Sequence, residues 1–249
     1  MISYLVTVCN EHEEVQNLLE SLIDSKDDSE EIVVLFDAIN GTEEVRDVLD
    51  QYENDIRVIE HPFTGNFAEF KNFGNKQCTK EWIMQLDADE QIDPWIQQSL
   101  QDLCSMNDNA DLILFPRANT VDGITSDHIR KWNWQVSKSE LSIGAKSLEE
   151  GSKELEFLRE LEYVIHEQDS PDKDNHKLIT YYQPLINFPD WQGRLYKNRK
   201  EIEWQGKVHE KVGGVKSYAY LPDTFIYSIK HPKTVGRQEK QNQLYENLR

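Results

Sequence analysis

The most restrictive feature of this sequence is an alternation that runs through its first 115 residues. Short unbroken apolar runs occupy residues 2–9, 32–36, 56–59, 82–86 and 112–115. Between them, apolar residues recur at helical spacing: Val15, Leu18, Leu19, Leu22 and Ile23; then Val45, Val48, Leu49 and Tyr52; then Phe67, Phe70, Phe73 and Gly74. A further helix is expected over 95–103, opened by Pro94 at a first-turn position. Apolar runs without alternation are strands buried on both faces. Interleaved with amphipathic helices, they predict an α/β fold with a mostly parallel sheet flanked by helices.

The pattern breaks over 127–182. Residues 147–165 read as an acidic amphipathic helix with Leu148, Leu155, Leu158 and Leu161 on its apolar side, and 169–175 as a polar loop. Three short strands are expected at 193–196, 202–204 and 224–229, and a final helix beyond Lys233 that uses Leu244, Tyr245 and Leu248. The expected organisation is a single domain over 1–249. It has a ligand-binding half at 1–116, a helical insertion or lid at 127–182, and a C-terminal segment at 188–249.

The charge narrows the function. Forty-six Asp and Glu against 27 Lys and Arg give a formal charge of -19. That balance argues against a constitutive binder of nucleic acid or anionic membranes, since phosphate contacts need cations. Cys9, Cys78 and Cys104 are far apart and share no metal or redox spacing, so reduced thiols in a cytoplasmic protein are expected. The N-terminus lacks the basic region and apolar length of a signal peptide, and no stable membrane span is expected.

In an open α/β sheet, ligands bind beyond the carboxyl ends of the strands. Four polar clusters fall there: Cys9-Asn10-Glu11, Asp37, Asp87-Ala88-Asp89-Glu90, and Lys230-His231 after a late strand. One acidic strand end is an ordinary turn or cap. Four together point to one cleft. Asp87 and Asp89, one residue apart on a chain leaving a buried strand, can approach a single hard cation; a solvated acidic turn is the equal alternative. Lys71 reads by itself as a surface lysine. Gly206-Lys-Val-His209-Glu210 offers a base and a second polar contact after a glycine turn, with His209 as a hydrogen-bonded loop residue in the plainer reading. His231 reads either as a ligand or as a strand terminator.

Taken in order, these features resemble the family-two glycosyltransferases with the nucleotide-sugar-binding A-type fold. The resembling stretches are 3–11, 31–37, Phe67-Ala-Glu-Phe-Lys71-Asn72-Phe-Gly74, and 81–90 with Asp87-Ala-Asp89. Downstream, Asp190-Trp-Gln-Gly-Arg194 and Gly206-Lys-Val-His209-Glu210 are similar to a branch with lipopolysaccharide-core glucosyltransferases and peptide S-glycosyltransferases. The resemblance implies a Rossmann-like sheet and a metal-dependent, inverting transfer of a sugar from a nucleotide-diphosphate donor. It implies Mn2+ or Mg2+, with Asp87, Asp89 and His231 as ligands. Val8, Asn10, Glu11, Asp37, Lys71, Asp87 and Arg194 would hold the nucleotide sugar. The base would be Glu210, with His209 as the rival. The Glu-Asp pair that supplies the base in many relatives has no clear counterpart. The acceptor is open among glycan, lipid-linked sugar, peptide and modified nucleic acid.

A nucleotidyltransferase would need a Gly-rich, Arg-containing loop after the first strand, which this sequence lacks. A haloacid-dehalogenase-type phosphohydrolase also has Asp-x-Asp after an apolar strand, but there the motif opens the domain, and Gln91 replaces the usual Thr or Val. A non-catalytic nucleotide- or sugar-binding protein on the same fold is the alternative from a different class.

Overall fold

The computed structural model describes residues 1–137 and 142–248. Its first nine elements follow the expected alternation: β1 (Ile2–Val8), α1 (His12–Ser25), β2 (Glu31–Asp37), α2 (Glu43–Gln51), β3 (Arg57–His61), α3 (Phe67–Asn75), β4 (Trp82–Asp87), α4 (Pro94–Met106) and β5 (Leu112–Asp122). Then come α5 (Ser126–Trp132), β6 (Val136–Ser137), β7 (Ile143–Glu149), α6 (Lys153–Glu160), β8 (Val164–Asp169), β9 (His176–Tyr182) and β10 (Leu185–Lys197). The chain continues through β11 (Glu203–Gln205), β12 (Lys211–Gly213), β13 (Tyr218–Tyr220), a 3₁₀ turn (Phe225–Tyr227), β14 (Ile229–Thr234) and α7 (Val235–Leu248). The insertion and C-terminal segment read from the sequence include residues 138–141 and 249, which lie outside the described residues.

Backbone packing divides the chain into two compact units. The first comprises Met1–Phe115, Trp191–Pro222 and the chain from Leu244; the second comprises Pro116–Asp190 and Asp223–Gln243.

The first unit is built on a sheet of order β13-β5-β10-β4-β1-β2-β3. The β1–β2, β1–β4, β2–β3 and β13–β5 pairs are parallel, and β10 runs antiparallel to β4. Leu5, Val33, Leu35 and Ile83 from the strands pack with Ala68 and Phe70 of α3 and with Tyr196 and Trp204 in one buried cluster. Each large apolar side chain so buried is worth roughly 1.5–3 kcal/mol before entropy is charged against it. Helix α3 lies close to the sheet because residue 74 is glycine: a Cβ there would stand 2.8 Å from Leu5 Cδ1 and 3.1 Å from Leu35 Cδ2. The three cysteines are free thiols. Burial pushes Cys78 and Cys104 up to about 12.

The second unit holds an antiparallel sheet of order β7-β9-β8, with α6 packed through Leu155 and Leu158 on Tyr163, Ile179 and Tyr181. This corrects the long helix expected over 147–165. The helix is only Lys153–Glu160, and strands flank it. Local chemistry sets both ends. Gly151 takes φ +79°, and Ser152 caps the helix by accepting from Leu155 N. Glu162, at φ +59°, turns the chain out again. Leu148 matches helical spacing by coincidence: along β7 exposed and half-buried residues alternate, the period of a strand.

Strand β14 is a second correction. The sequence placed a strand at 224–229, but that stretch is largely the 3₁₀ turn, and the strand is Ile229–Thr234. It pairs parallel with the second half of β5, from Arg117 to Asp122. Pro232 fits there because an edge strand can spare a backbone donor. His231 therefore lies within a strand and not at its end.

Candidate active site

The register of β1, β2 and β4 brings three of the predicted clusters to one edge. Thr7 is level with Asp87 and Val8 with Phe36, so Cys9-Asn10-Glu11, Asp37 and Asp87–Glu90 leave the sheet together.

Asp87 is the hub of a network of charges. Thr7 Oγ1 and Gln85 Nε2 donate to its Oδ1 at 2.8 and 3.0 Å. Lys71 Nζ lies 3.0 Å from Oδ1, and Arg194 Nη2 lies 2.9 Å from Oδ2. Burial opposes ionisation of this carboxyl, but the Lys71 ammonium and Arg194 guanidinium hold it well below the usual carboxylate range. Arg194 is itself 2% exposed and also donates to Gln85 Oε1 and to the fully buried Glu90. Lys71, at 3% exposure, is not the surface residue its sequence setting suggested. Its ammonium stands 4.6 Å from the centre of the Trp204 ring.

The β11–β12 hairpin carries the second motif, and α3 grips it at three points. Asn72 Nδ2 donates to Trp204 O and its Oδ1 accepts from Trp204 N, both at 2.8 Å. Phe67 N donates to Lys207 O at 3.0 Å. Lys71 Nζ pairs with Glu210 Oε1 at 2.7 Å. The loop reaches this geometry through two residues in the left-handed region, Gly206 at φ +101° and His209 at φ +55°. That backbone sends Glu210 to Lys71, while His209 is exposed, with its ring 5.1 Å from that of Tyr245.

Two of the expected nucleotide contacts are occupied by their own loops. Asp37 is buried; its Oδ1 accepts from Ile39 N and Phe63 N at 2.9 and 3.1 Å, and its Oδ2 from Asn40 Nδ2 at 2.7 Å. Burial works against ionisation here too, and the three donors more than offset it, holding the carboxyl below its ordinary range. Glu11 folds back, its Oε2 accepting from Cys9 N and Asn10 N at 2.9 and 3.0 Å. Val8 is buried at the end of β1, and Asn10 is exposed.

Asp89 is half-buried, two residues beyond Asp87. Among the described residues no three His, Cys, Asp or Glu side chains converge as a closed metal cage. The set fits a hard cation only in the open manner of Mg2+ or Mn2+, held by one or two carboxylates and completed by substrate phosphate.

In the second unit, His231 is buried, and its Nδ1 lies 2.7 Å from Asn119 Oδ1. The tryptophans considered for sugar stacking contact other aromatic rings: Trp132 with Trp134, and in the first unit Trp191 with Tyr220, each at 4.7 Å.

Sequence reading assigned no role to Gln85, Glu90, Asn72 or Trp204. Gln85 had a usable signal, as a polar residue inside an apolar strand. Asn72 and Trp204 had none, because their pairing is a tertiary contact between distant segments.

The sheet, its helices and the acidic strand ends define a Rossmann-like α/β protein of the A-type glycosyltransferase fold. Residues 3–148 match the model of glycosyl transferase family 2, and the chain belongs to that family. Among solved structures it is similar to Staphylococcus aureus TarS. Against TarS 1–349 in complex with UDP-GlcNAc the identity is 16% and the TM-score 0.52, covering 93% of this chain and 58% of that one. Against the same TarS fragment with UDP, the identity is 16% and the TM-score 0.53, covering 98% and 63%. The chain thus spans less than two thirds of the length of these TarS structures. No protein with a curated description matches it. No described helix is long and apolar enough to cross a membrane.

Proposed function

We propose that the protein transfers a sugar from a nucleotide-diphosphate donor to an acceptor, with inversion at the anomeric carbon and a divalent cation bound beside the diphosphate. Family membership supports the reaction class, and TarS structures with UDP and UDP-GlcNAc support a uridine nucleotide as donor.

Within the first unit, Asp89 would ligate Mn2+ or Mg2+. Asp87 is left out of that set, because two cations and two neutral donors already engage its oxygens. When bound, the cation supplies Lewis-acid stabilisation of the departing diphosphate. The strand ends at Val8, Asn10, Glu11 and Asp37 would receive the nucleoside, with Asp37 shaping the turn that does so. Lys71 and Arg194 act as fixed cations within the protein, and Arg194 is spent on Glu90, Asp87 and Gln85.

Glu210 is the general base in this reading. It takes the proton of the acceptor as the acceptor attacks the face of the sugar opposite the nucleotide. The observation that carries the proposal is the run of contacts Glu210–Lys71–Asp87, which ties the candidate base to the carboxyl end of β4. His209, turned toward Tyr245, serves the loop's backbone geometry.

The test is a thermal-shift series with UDP, GDP and their sugar conjugates, each with and without Mn2+. A ligand that binds only the folded state raises Tm. UDP is expected to raise it more with Mn2+ than without. No shift with any nucleotide sinks the donor reading. Binding without turnover of any donor, even to free sugar, favours the non-catalytic alternative.

A further inference from the structure

A buried carboxylate without a cation stands at the amino end of the first unit's sheet. Glu30 immediately precedes β2 and is 8% exposed. Tyr4 Oη and Asp27 N donate to its Oε2 at 3.2 and 3.0 Å, and Gln101 Nε2 donates to its Oε1 at 3.2 Å. Burial and the Glu30 carboxylate push the Tyr4 phenol up, so the hydroxyl stays a donor. All three donors are neutral, and among the described residues no Lys, Arg or His side chain forms an ion pair with Glu30. Carboxylates this deeply buried ordinarily have a cationic partner.

Beside it is a buried acceptor with nothing to accept from. Gln97, on α4, is 2% exposed, and its Nε2 donates to Leu22 O at 2.9 Å. A backbone carbonyl only accepts, so this contact fixes the amide with Nε2 toward Leu22 and Oε1 turned away. Oε1 is buried and has no hydrogen-bond partner among the described residues. It has given up the hydration of the unfolded chain without replacement. Gln97 and Gln101 are one helical turn apart on α4 and share a side of it. Both line a polar pocket of about 300 Å³ with Ser25, Lys26, Asp27 and Glu30.

The carboxylate lacks a positive charge, and the amide oxygen lacks a hydrogen donor. A primary ammonium supplies both, with three N–H donors and no acceptor. The last turn of α1, which ends at Ser25 on this pocket, holds no basic residue, and a helix C-terminus favours a cation. Lys26 caps that helix and lines the pocket but makes no ion pair with Glu30. A divalent metal fits less well, because among the described residues no three His, Cys, Asp or Glu side chains converge.

We propose that this pocket binds a small primary alkylammonium compound, whose ammonium takes the place of the Gln101 amide at Glu30 and donates to Gln97 Oε1. Strands β1 and β2 are parallel, so the pocket lies at the end of the sheet away from Asp37 and Asp87. The site is separate from the strand ends that would receive the nucleotide and does not depend on that reading.

The test is a nuclear magnetic resonance titration of the parent with propylammonium chloride. Ionic strength is held constant, because a formal charge of -19 draws any cation. The side-chain amides of Gln97 and Gln101 and the backbone amide of Asp27 are expected to shift together and to saturate. Tetramethylammonium has the charge without N–H donors, and 1-propanol has the chain without the charge; neither should move them. Glu30→Gln keeps the shape and removes the charge, and should weaken propylammonium about tenfold or more. Gln97→Met removes the acceptor and should weaken it about 2–10-fold. Equal shifts with propylammonium and tetramethylammonium overturn the proposal, since diffuse attraction then suffices, and so does the absence of shifts in the parent. Saturable binding that appears only in Lys26→Ala also overturns it, because the chain's own lysine then fills the site. The parent titration decides the question even if a variant fails to fold.

Discussion

Lys71 Nζ lies 2.7 Å from Glu210 Oε1, with the lysine 3% and the glutamate 14% exposed. The same ammonium neutralises Asp87. One buried cation therefore serves two carboxylates from segments far apart in sequence, and the net charge of this small region depends on it.

Replacing Lys71 by Met keeps much of the stem and removes the charge. Breaking a buried ion pair from one side costs about 3–5 kcal/mol, because the partner stays charged and loses its compensation. A loss near 3 kcal/mol is expected, since Asp87 retains some solvent. Urea unfolding measures it; a change below about 0.5 kcal/mol would place the pair among weak surface contacts.

Asp37 separates turn formation from nucleotide recognition through its pH dependence. Its folded carboxyl titrates below the ordinary range. The stability it contributes is thus complete above the unfolded pKa of ~3.9 and is lost as pH falls through the folded value. Asp37→Asn should cost about 2 kcal/mol at pH 7, and its deficit against the parent should narrow below about pH 4. Denaturant melts at several pH values check this. A deficit that is constant from neutral to acid pH would assign the loss to something other than the ionised carboxylate.

Asp89→Asn removes a hard anionic ligand while keeping the side chain's size. UDP affinity measured with Mn2+ should fall at least about tenfold, the scale of a lost ligand or its support. UDP affinity without metal should be unchanged. Calorimetry with and without Mn2+ makes the comparison, and equal metal-dependent binding in variant and parent would strike Asp89 from the ligand set.

Glu210→Gln should lower kcat by ~10²–10⁴ and leave the donor dissociation constant close to that of the parent. An interaction used in the transition state shows that split. Asn72→Ala loosens the hairpin that bears Glu210, so it should slow transfer in the parent background and add little in the Glu210→Gln background. Fully additive losses would show that Asn72 works by another route.

The sheet was legible because burial on both faces leaves a mark that no other element makes: residues 32–36 and 82–86 have nowhere to be except inside. The strand ends were legible for the same reason, since a polar residue stops each run. Residues 147–165 were misread because Leu148, Leu155, Leu158 and Leu161 fit a helical stripe, while Gly151 and Glu162 break the chain at positions where neither residue type forbids a helix outright. Lys71 was read as a surface residue because nothing local announces Glu210, Asp87 or the Trp204 ring. Tertiary pairing decides such positions, and a one-dimensional pattern does not carry it. His231 stands out in the sequence beside Lys230, but its pairing with Asn119 depends on register between β14 and β5, which the sequence leaves open.

Strand β10 is inserted between β4 and β5, which precede it in the chain. Its Arg194 comes 104 residues after Glu90, the carboxylate it pairs in the core. A ribosome adds ~5–20 residues per second, so several seconds separate the appearance of the anion from that of its cation. Throughout that interval Glu90 must stay hydrated, and the edge of β4 must wait unpaired. The sheet therefore cannot be completed until β10 has been made and takes its place between β4 and β5. Release of the chain before residue 194 would leave a fragment with a charge it cannot bury and an edge it cannot cover, the two features that send nascent chains to chaperones.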